Sequence, residues 1–285
     1  MRVLIVGAGN VGISLAGWLS NPADEIVAWN RSPLHPDRAA ILKSVAAGCR
    51  IVESAAPLQP GAPDLVLLTV SDAAIPTAAA LLDTWGVPQH VPVVHCSGRR
   101  APTGFAPGTR PQGSAHPAFS FPVPGVEKTG AVRFLVGGDD PATEAVSGLL
   151  ERAGLGVVAA FPSDRILYHA GCVAAANILA LAGLAADTLL RKSGLNPGQA
   201  RELLSSLLQS VLANTAKLGF RESLTGPAVR GDAPAVLEQA DAVLKHAVEL
   251  LPFFLEANRS LGMVAGRKDV VAAIIDWAGK RAGRK

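Results

Sequence analysis

Cysteine is scarce in this chain. Its 285 residues hold three, Cys49, Cys96 and Cys172, far apart. With no CxxC pair and no Cys/His cluster at zinc spacing, a dithiol redox pair and a structural zinc site are excluded, and no metal is expected. This usage fits a reduced, intracellular protein. Charge of one sign is also lacking. The net charge is only +3, and the basic residues are scattered except for the tail Lys280, Arg281, Arg284 and Lys285. That tail reads as a solvated, frayed end, so no nucleic-acid partner is expected. The longest apolar stretch, Ala170–Ala186, is rich in Ala and Gly and contains Asn177. It falls short of the roughly 20 residues that span a bilayer. It reads as a buried helix, and no membrane partner is expected. The chain starts directly on an apolar strand, Arg2 to Val6, with no signal-peptide pattern, which points to the cytoplasm. Internal repeats and low-complexity linkers are absent.

Against these absences, 49% of the residues are apolar and 17% charged, the balance of a globular protein with a large core. The length suggests two domains of roughly 150 residues. The first part alternates strand and helix: strands at Val3–Val6, Glu25–Trp29, Arg50–Val52, Asp64–Val70, Val91–His95, Val132–Gly137 and Gly156–Ala160, helices between them, and a long Pro/Gly-rich ordered loop from Arg99 to Val126. Buried-strand composition alternating with helices predicts an α/β fold with a doubly wound, mostly parallel sheet. From Phe161 onward no strand pattern remains. Asp164 and Ser163 are candidate N-caps, Asn196-Pro197-Gly198 opens a helix, and Asp232 caps another. The expected organisation is a Rossmann dinucleotide-binding domain at 1–160 and an all-α domain at 161–285.

The first strand runs into Gly7-Ala8-Gly9-Asn10-Val11-Gly12 and then a helix. A bare GxGxxG is weak, but strand before and helix after is the context that gives it meaning. Gly7 permits the tight turn, Gly9 lets backbone approach a pyrophosphate, and Gly12 lets helix and strand pack closely. The helix N-terminus then offers free N–H groups to phosphate. The second strand discriminates between cofactors. NAD-binding sites usually end it with Asp or Glu for the ribose 2′-OH; here it ends Trp29-Asn30-Arg31-Ser32. Arg31 suits a 2′-phosphate, with Asn30 and Ser32 as further donors, so the expected cofactor is NADP(H). The alternative is that Arg31 is a plain surface residue. Thr69, Val70 and Ser71 end the fourth strand, where the crevice lies, and backbone contacts to the cofactor are expected there. Asp72 follows and also suits a helix cap.

His95-Cys96-Ser97-Gly98 ends the next strand, again at the crevice, and places His95 and Ser97 beside the cofactor. His116-Pro117 follows in the Pro/Gly loop. Tyr168, the one tyrosine, and His169 lie early in the first helix of the second domain, with Asn177 two turns on. Hydride transfer to C=O or C=N needs a proton donor, and histidine is the commonest. Each residue also has a structural reading: His95 as a satisfied strand-end histidine, His116 as a loop-ordering group, Tyr168 and His169 as packing groups. Asn177 in an apolar helix needs a partner, because an unpaired buried amide costs roughly 1–3 kcal/mol.

Taken together, GAGNVG at 7–12, NRS at 30–32, HCSG at 95–98, HPAFSF at 116–121, YHAGCVAAAN at 168–177 and LTGPAVRGD at 224–232 resemble an uncharacterised bacterial family that joins a Rossmann-like NADP-binding half to a helical domain of unknown function. The resemblance covers essentially the whole chain. That layout is similar to the 6-phosphogluconate dehydrogenase-like superfamily, which includes pyrroline-5-carboxylate reductase, ketopantoate reductase, β-hydroxyacid dehydrogenases and prephenate dehydrogenase. In prephenate dehydrogenase a serine after the corresponding strand and a His-Pro histidine serve the reacting hydroxyl, so the resemblance implies Ser97 and His116 as a pair. In β-hydroxyacid dehydrogenases a lysine precedes an asparagine by one turn. Here Val173 precedes Asn177, and Arg165 stands where the uncharacterised family has lysine. The proton donor implied is therefore His116 or His169.

The expectation is an NADP(H)-dependent oxidoreductase acting on a small carbonyl, imine or hydroxy-acid substrate between the domains, with Ser97, His116, His169 and Asn177 around it. The alternative is a non-catalytic NADP(H)-binding sensor or assembly partner. The helical half is expected to form a homodimer.

Overall fold

The computed structural model describes residues 1–53, 62–160 and 162–282. Phe161 and the tail residues Arg284 and Lys285 lie outside these. The described chain forms two compact units, Met1–Ala176 and Asn177–Lys285.

The first unit is built on an eight-stranded sheet: β1 (Arg2–Val6), β2 (Glu25–Asn30), β3 (Arg50–Glu53), β4 (Leu65–Leu68), β5 (Val93–His95), β6 (Gln112–Pro117), β7 (Arg133–Gly138) and β8 (Gly156–Ala159). Their order is β3-β2-β1-β4-β5-β6-β7-β8. All neighbours are parallel except β6 and β7. Both faces are covered, so central strands are apolar at every position rather than alternately. On one face Val3 and Ile5 of β1 pack with α1 (Asn10–Trp18), Leu42 of α2 (Pro36–Val45) and Val146 and Leu149 of α4 (Asp140–Arg152). On the other, Leu4 and Val6 pack with Ile75, Ala79 and Leu82 of α3 (Ile75–Thr84). This is the doubly wound Rossmann arrangement that the sequence predicts.

One strand departs from the expectation. The stretch Arg99–Val126 reads as loop, yet Gln112–Pro117 within it is β6, paired with β5 and β7. Its residues are Gln, Gly, Ser, Ala, His and Pro, none of them β-branched, so propensity gives no signal. The reason for smallness is packing: a Cβ on Gly113 would lie 3.2 Å from the Ala142 methyl and 3.4 Å from the Gly137 carbonyl. Arg110, fully buried, holds the entry to this strand. Its guanidinium donates to Pro88 O (2.6 Å) and Val87 O (3.0 Å) and pairs with Asp83 (2.8 Å). Arg110→Ala strands two carbonyls and removes this packing. We expect a loss of roughly 2–4 kcal/mol in urea unfolding; a change below 0.5 kcal/mol contradicts the assignment.

The division between the units falls at 176/177, against an expected boundary at 160/161. The intervening helix α5 (Arg165–Val173) belongs with the sheet. Asp164 caps it, accepting from Leu167 N (2.9 Å), and Arg165 is buried against the Ser97 carbonyl (2.8 Å). A π-helical turn, Ala174–Ile178, links α5 to α6 (Leu179–Lys192).

The second unit continues with α7 (Pro197–Leu218), α8 (Pro227–Arg230), α9 (Ala233–His246), α10 (Leu251–Val264) and α11 (Lys268–Ala282). Asn196 and Gln199 form a capping box before α7, and Asp232 caps α9. α9 and α10 are separate helices, and Pro252 sits in the first turn of α10. Its core is small: Ala228, Val236, Val270 and Ile274, with Leu255 and Leu261 against them.

The Ala170–Ala186 segment is not the buried helix expected. Leu179, Leu181 and Leu184 are 46–62% exposed. The whole helical run Arg165–Lys192 is 28 residues with a mean hydropathy of 1.8 and, by length and composition alone, is long enough to cross a membrane. A strictly uncharged count misses this because the run extends past Ala186 through Asp187 to Arg191 and Lys192. Its first turn, however, buries Arg165 against the sheet unit, a cationic protein contact that a lipid-facing turn would not make.

Candidate active site

The glycine loop does three separate jobs. Gly7 has φ +108°, and a Cβ there would crowd Val70 and Thr69. At Gly12 a Cβ would collide with the Gly7 carbonyl and approach Thr69 Oγ1 at 2.7 Å, so only glycine lets α1 start this close to β1. Gly9 is different. Its φ of −78° suits any residue, and no protein atom lies within 4 Å of its would-be Cβ. The chain's own packing does not require Gly9. What its missing side chain keeps clear is the space before α1, where no side chain caps the helix and no acid occupies the first turn. Free N–H groups facing open space are what a phosphate needs. Thr69 closes the turn by donating to Gly7 O (2.6 Å).

Gly7, Ala8, Gly9, Asn30, Arg31, Ser32, Thr69, Val70 and Ser71, all expected at the cofactor, line one cleft of about 400 Å³ with α3 as its far wall, a volume typical of a small-ligand site. Asn10, Val11 and Gly12 form the first turn of α1 at its rim. Arg31 is exposed with no protein partner among the described residues. Asn30 works within the fold rather than only toward a ligand. Its Oδ1 accepts from Ala8 N (3.2 Å) and its Nδ2 donates to Ser32 O (2.7 Å), pinning the glycine loop to the end of β2. Arg38 was missed by the sequence reading. It donates to Asn10 Oδ1 (3.2 Å) and adds a second guanidinium near the α1 N-terminus; its place on α2 leaves no local pattern.

The second cluster sits at the C-terminal ends of β4, β5 and β6. His95 is fully buried. Its Nδ1 accepts from Ser97 N (3.1 Å), which leaves Nε2 to donate to Ala101 O (2.8 Å). Both nitrogens are committed to the 95–101 turn, so the His95 side chain has nothing left for a cofactor. Ser97 is 7% exposed, and its Oγ accepts from Arg100 N (3.2 Å).

His116, on β6, faces α5. Its Nδ1 lies 2.7 Å from the Tyr168 hydroxyl, and its ring is 6.0 Å from that of His169. Gly98 completes the group. A Cβ there would lie 2.7 Å from His169 Cδ2 and 2.8 Å from His116 Nε2, so the two imidazoles close over a position only glycine fits. Burial, then the charges of His169 and Arg165, push the His116 pKa down to about 4. Burial and a hydrogen bond with Cys172 push the Tyr168 phenol well above its ordinary value. Both groups are therefore neutral at pH 7. Burial also pushes the Cys96 thiol up to about 12, so it is no nucleophile.

Arg165 brings a guanidinium, 7% exposed, to the same corner. Its Nη2 donates to Ser97 O (2.8 Å), while Nε and Nη1 are buried with no partner. Asp72 pairs with Arg99 (2.7 Å). Burial would raise its carboxyl, but hydrogen bonds from Arg99 and Ser97 and the charges of Arg99 and Arg100 hold it below its usual value.

Ser97, His116 and His169 are thus together, joined by Tyr168, Gly98 and Arg165. Asn177 opens the second unit and is exposed. The desolvation argument that singled it out does not apply, since water satisfies its amide.

A Rossmann sheet with this glycine loop defines the chain as a dinucleotide-binding-type α/β protein extended by a helical unit. Residues 132–259 match the family model described as Domain of unknown function (DUF2520), in keeping with the resemblance drawn from the motifs. No curated protein matches. Among solved structures, a Bacteroides fragilis protein provisionally named an NADP oxidoreductase is 19% identical, with 92% of this chain and 98% of that one aligned at a TM-score of 0.72. A Thermotoga maritima protein is 24% identical over 93% and 99% of the two chains, TM-score 0.63. The pyrroline carboxylate reductase of Plasmodium falciparum, solved with NADP bound, is 9% identical over 92% and 98%, TM-score 0.57. At these identities the likeness is one of fold.

Proposed function

We propose that the chain is an NADP(H)-dependent oxidoreductase acting on a small carbonyl, imine or hydroxy-acid substrate. The observation that carries this reading is the neutral His116–Tyr168 pair between β6 and α5, on the same C-terminal side of the parallel strands as the glycine-loop cleft. The fold neighbours named for NADP support it. Gly7–Gly12, Arg31, Ser32 and Thr69–Ser71 would hold the cofactor, which supplies or accepts the hydride when bound. No carboxylate ends β2 to repel a 2′-phosphate, and Arg31 is free to pair with one.

His116 moves the proton. We take the tautomer in which the Tyr168 oxygen accepts from His116 Nδ1–H at 2.7 Å, which leaves the Nε2 lone pair toward Gly98. Nε2 takes the proton of a substrate hydroxyl in oxidation and returns it in reduction. Ser97, next to Gly98 in the same turn, is the group we assign to help orient that hydroxyl. We also propose that the protein works in the cytoplasm as a homodimer through α6 and α7, whose apolar side chains are exposed in the single chain.

Two measurements test the core of this reading. NADPH consumption is followed against 2-oxo acids, pyrrolines and ketopantoate; tight NADPH binding with no turnover across that panel favours the sensor role instead. Arg31→Ala should weaken NADPH binding roughly tenfold or more and leave NADH binding unchanged. An unaltered NADPH/NADH ratio removes Arg31 from the site.

A further inference from the structure

We infer that Arg165 is an anchor for a carboxylate, so that the substrate is a small 2-oxo acid or its hydroxy or imino counterpart. The inference rests on the proposed function for the word substrate and on geometry for the site. A guanidinium has five N–H donors. At Arg165 one is engaged at the Ser97 carbonyl, and those on Nε and Nη1 are buried without partners. Burying such a group unsatisfied is costly, and the surroundings do not compensate it. The titratable groups that act on it or feel its charge are Tyr168, His95 and His116, none of them an anion at pH 7, and Asp72, Arg99, Arg100, His169 and Cys172 belong to the same corner through those groups. Asp72 is the one carboxylate among them and is engaged by Arg99. Arg100 adds a second buried, unpartnered Nε. Arg99 is satisfied by Asp72 and by water, so the buried donors of Arg165 and Arg100 are the ones left without an anion.

A carboxylate fits this deficit because a planar pair of oxygens takes two N–H donors of a guanidinium at once. Held there, an acid's adjacent carbon lies beside Ser97 and His116, the group that handles its hydroxyl. The arrangement also couples binding to chemistry. The Arg165 charge is one of the influences that keep His116 neutral; a bound carboxylate offsets it and makes Nε2 more basic once substrate is in place. The cofactor's phosphates have their own site at the α1 N-terminus, on the other side of the β4 end.

The test uses the whole chain with histidine imidazoles observed by NMR, no cofactor present, and two probes of one shape, pyruvate and acetone. Pyruvate should shift the His116 signals saturably and raise its titration midpoint; acetone should do neither. Arg165→Met should weaken the pyruvate effect about tenfold or more, Arg165→Lys should restore part of it, and NADPH affinity should stay as in the wild type. Equal responses to pyruvate and acetone overturn the proposal without any variant. So does wild-type pyruvate binding by Arg165→Met. A parallel loss of NADPH affinity in that variant also overturns it, by making the anion a cofactor phosphate. Failure of the oxidoreductase reading would show separately, as absent NADPH binding or turnover, because the pyruvate titration uses neither.

Discussion

His116→Ala is expected to lower kcat by roughly 10²–10⁴-fold while leaving the dissociation constant for NADPH unchanged. The size follows from its position. His116 is the titratable group whose free nitrogen faces the Gly98 gap, and the Tyr168 hydroxyl at 2.7 Å fixes which nitrogen that is. The cofactor cleft contains no atom of His116, so binding of the nucleotide should not register the change. The pH dependence is specific. With a pKa of about 4 in the free protein, the imidazole is already deprotonated throughout pH 5–8. In the oxidative direction kcat/KM, which reports the free enzyme, should stay flat with respect to His116 there and fall only as pH drops toward 4. In the kcat profile the same group should titrate higher, since an anion beside Arg165 removes part of what depresses it. A His116-dependent inflection near 6.5 in kcat/KM, or a variant that keeps full turnover, takes the proton-transfer role away from this residue. Tyr168→Phe should cost less, because it removes the group that orients the imidazole but not the imidazole.

The same pKa carries a stability consequence. Between about pH 6.5 and 4 the unfolded chain binds a proton at this position and the folded chain does not. Stability therefore falls as pH is lowered through that window, and the fall should be shallower in His116→Ala.

What the sequence showed of this molecule, and what it hid, divides along physical lines. The glycine loop was legible because each glycine answers a local demand within a dozen residues, and the structure separates those demands: sterics at Gly7 and Gly12, empty space at Gly9. The strands β1 and β4 were legible because they are apolar on both faces. β6 was not, since its smallness is dictated by α4 packing from far along the chain. The corner around His116 was legible in its members but not in its couplings. His95 and His116 look alike in sequence, each a histidine at a strand end. Only the fold shows that His95 spends both nitrogens on backbone while His116 keeps one free. Arg165 read as a departure from a lysine pattern; its buried, unpaired donors make it a positive feature instead. Asn177 misled for the opposite reason, because an apolar neighbourhood in sequence was taken for burial.

That misjudgement about burial leads to the second large effect. Leu184→Glu combined with Leu207→Glu should convert the proposed homodimer to monomer at micromolar concentration, raising its dissociation constant roughly 10³-fold or more. On α7, Leu203, Leu207 and Val211 recur every four residues, with Leu212 and Leu218 beside them; on α6, Leu181 and Leu184 lie three apart, one turn along the helix, and all seven are 47–62% exposed. Phe220, just beyond α7, is 81% exposed. Helices whose own unit buries only alanines from them, Ala185 and Ala200, gain little from internal packing. A contiguous apolar surface of this kind on a globular protein marks a contact face. A second copy is the occupant we choose, since a two-fold contact sets the same leucines against each other and covers both stripes in one step. The two-fold axis doubles the penalty: each substitution occurs twice per dimer, once from each chain. Within one chain the same substitutions are nearly free, because the side chains already meet water. Sedimentation velocity should show a wild-type dimer and a folded variant monomer with an unchanged circular dichroism spectrum. A wild-type monomer, or a variant that remains dimeric, moves the interface elsewhere.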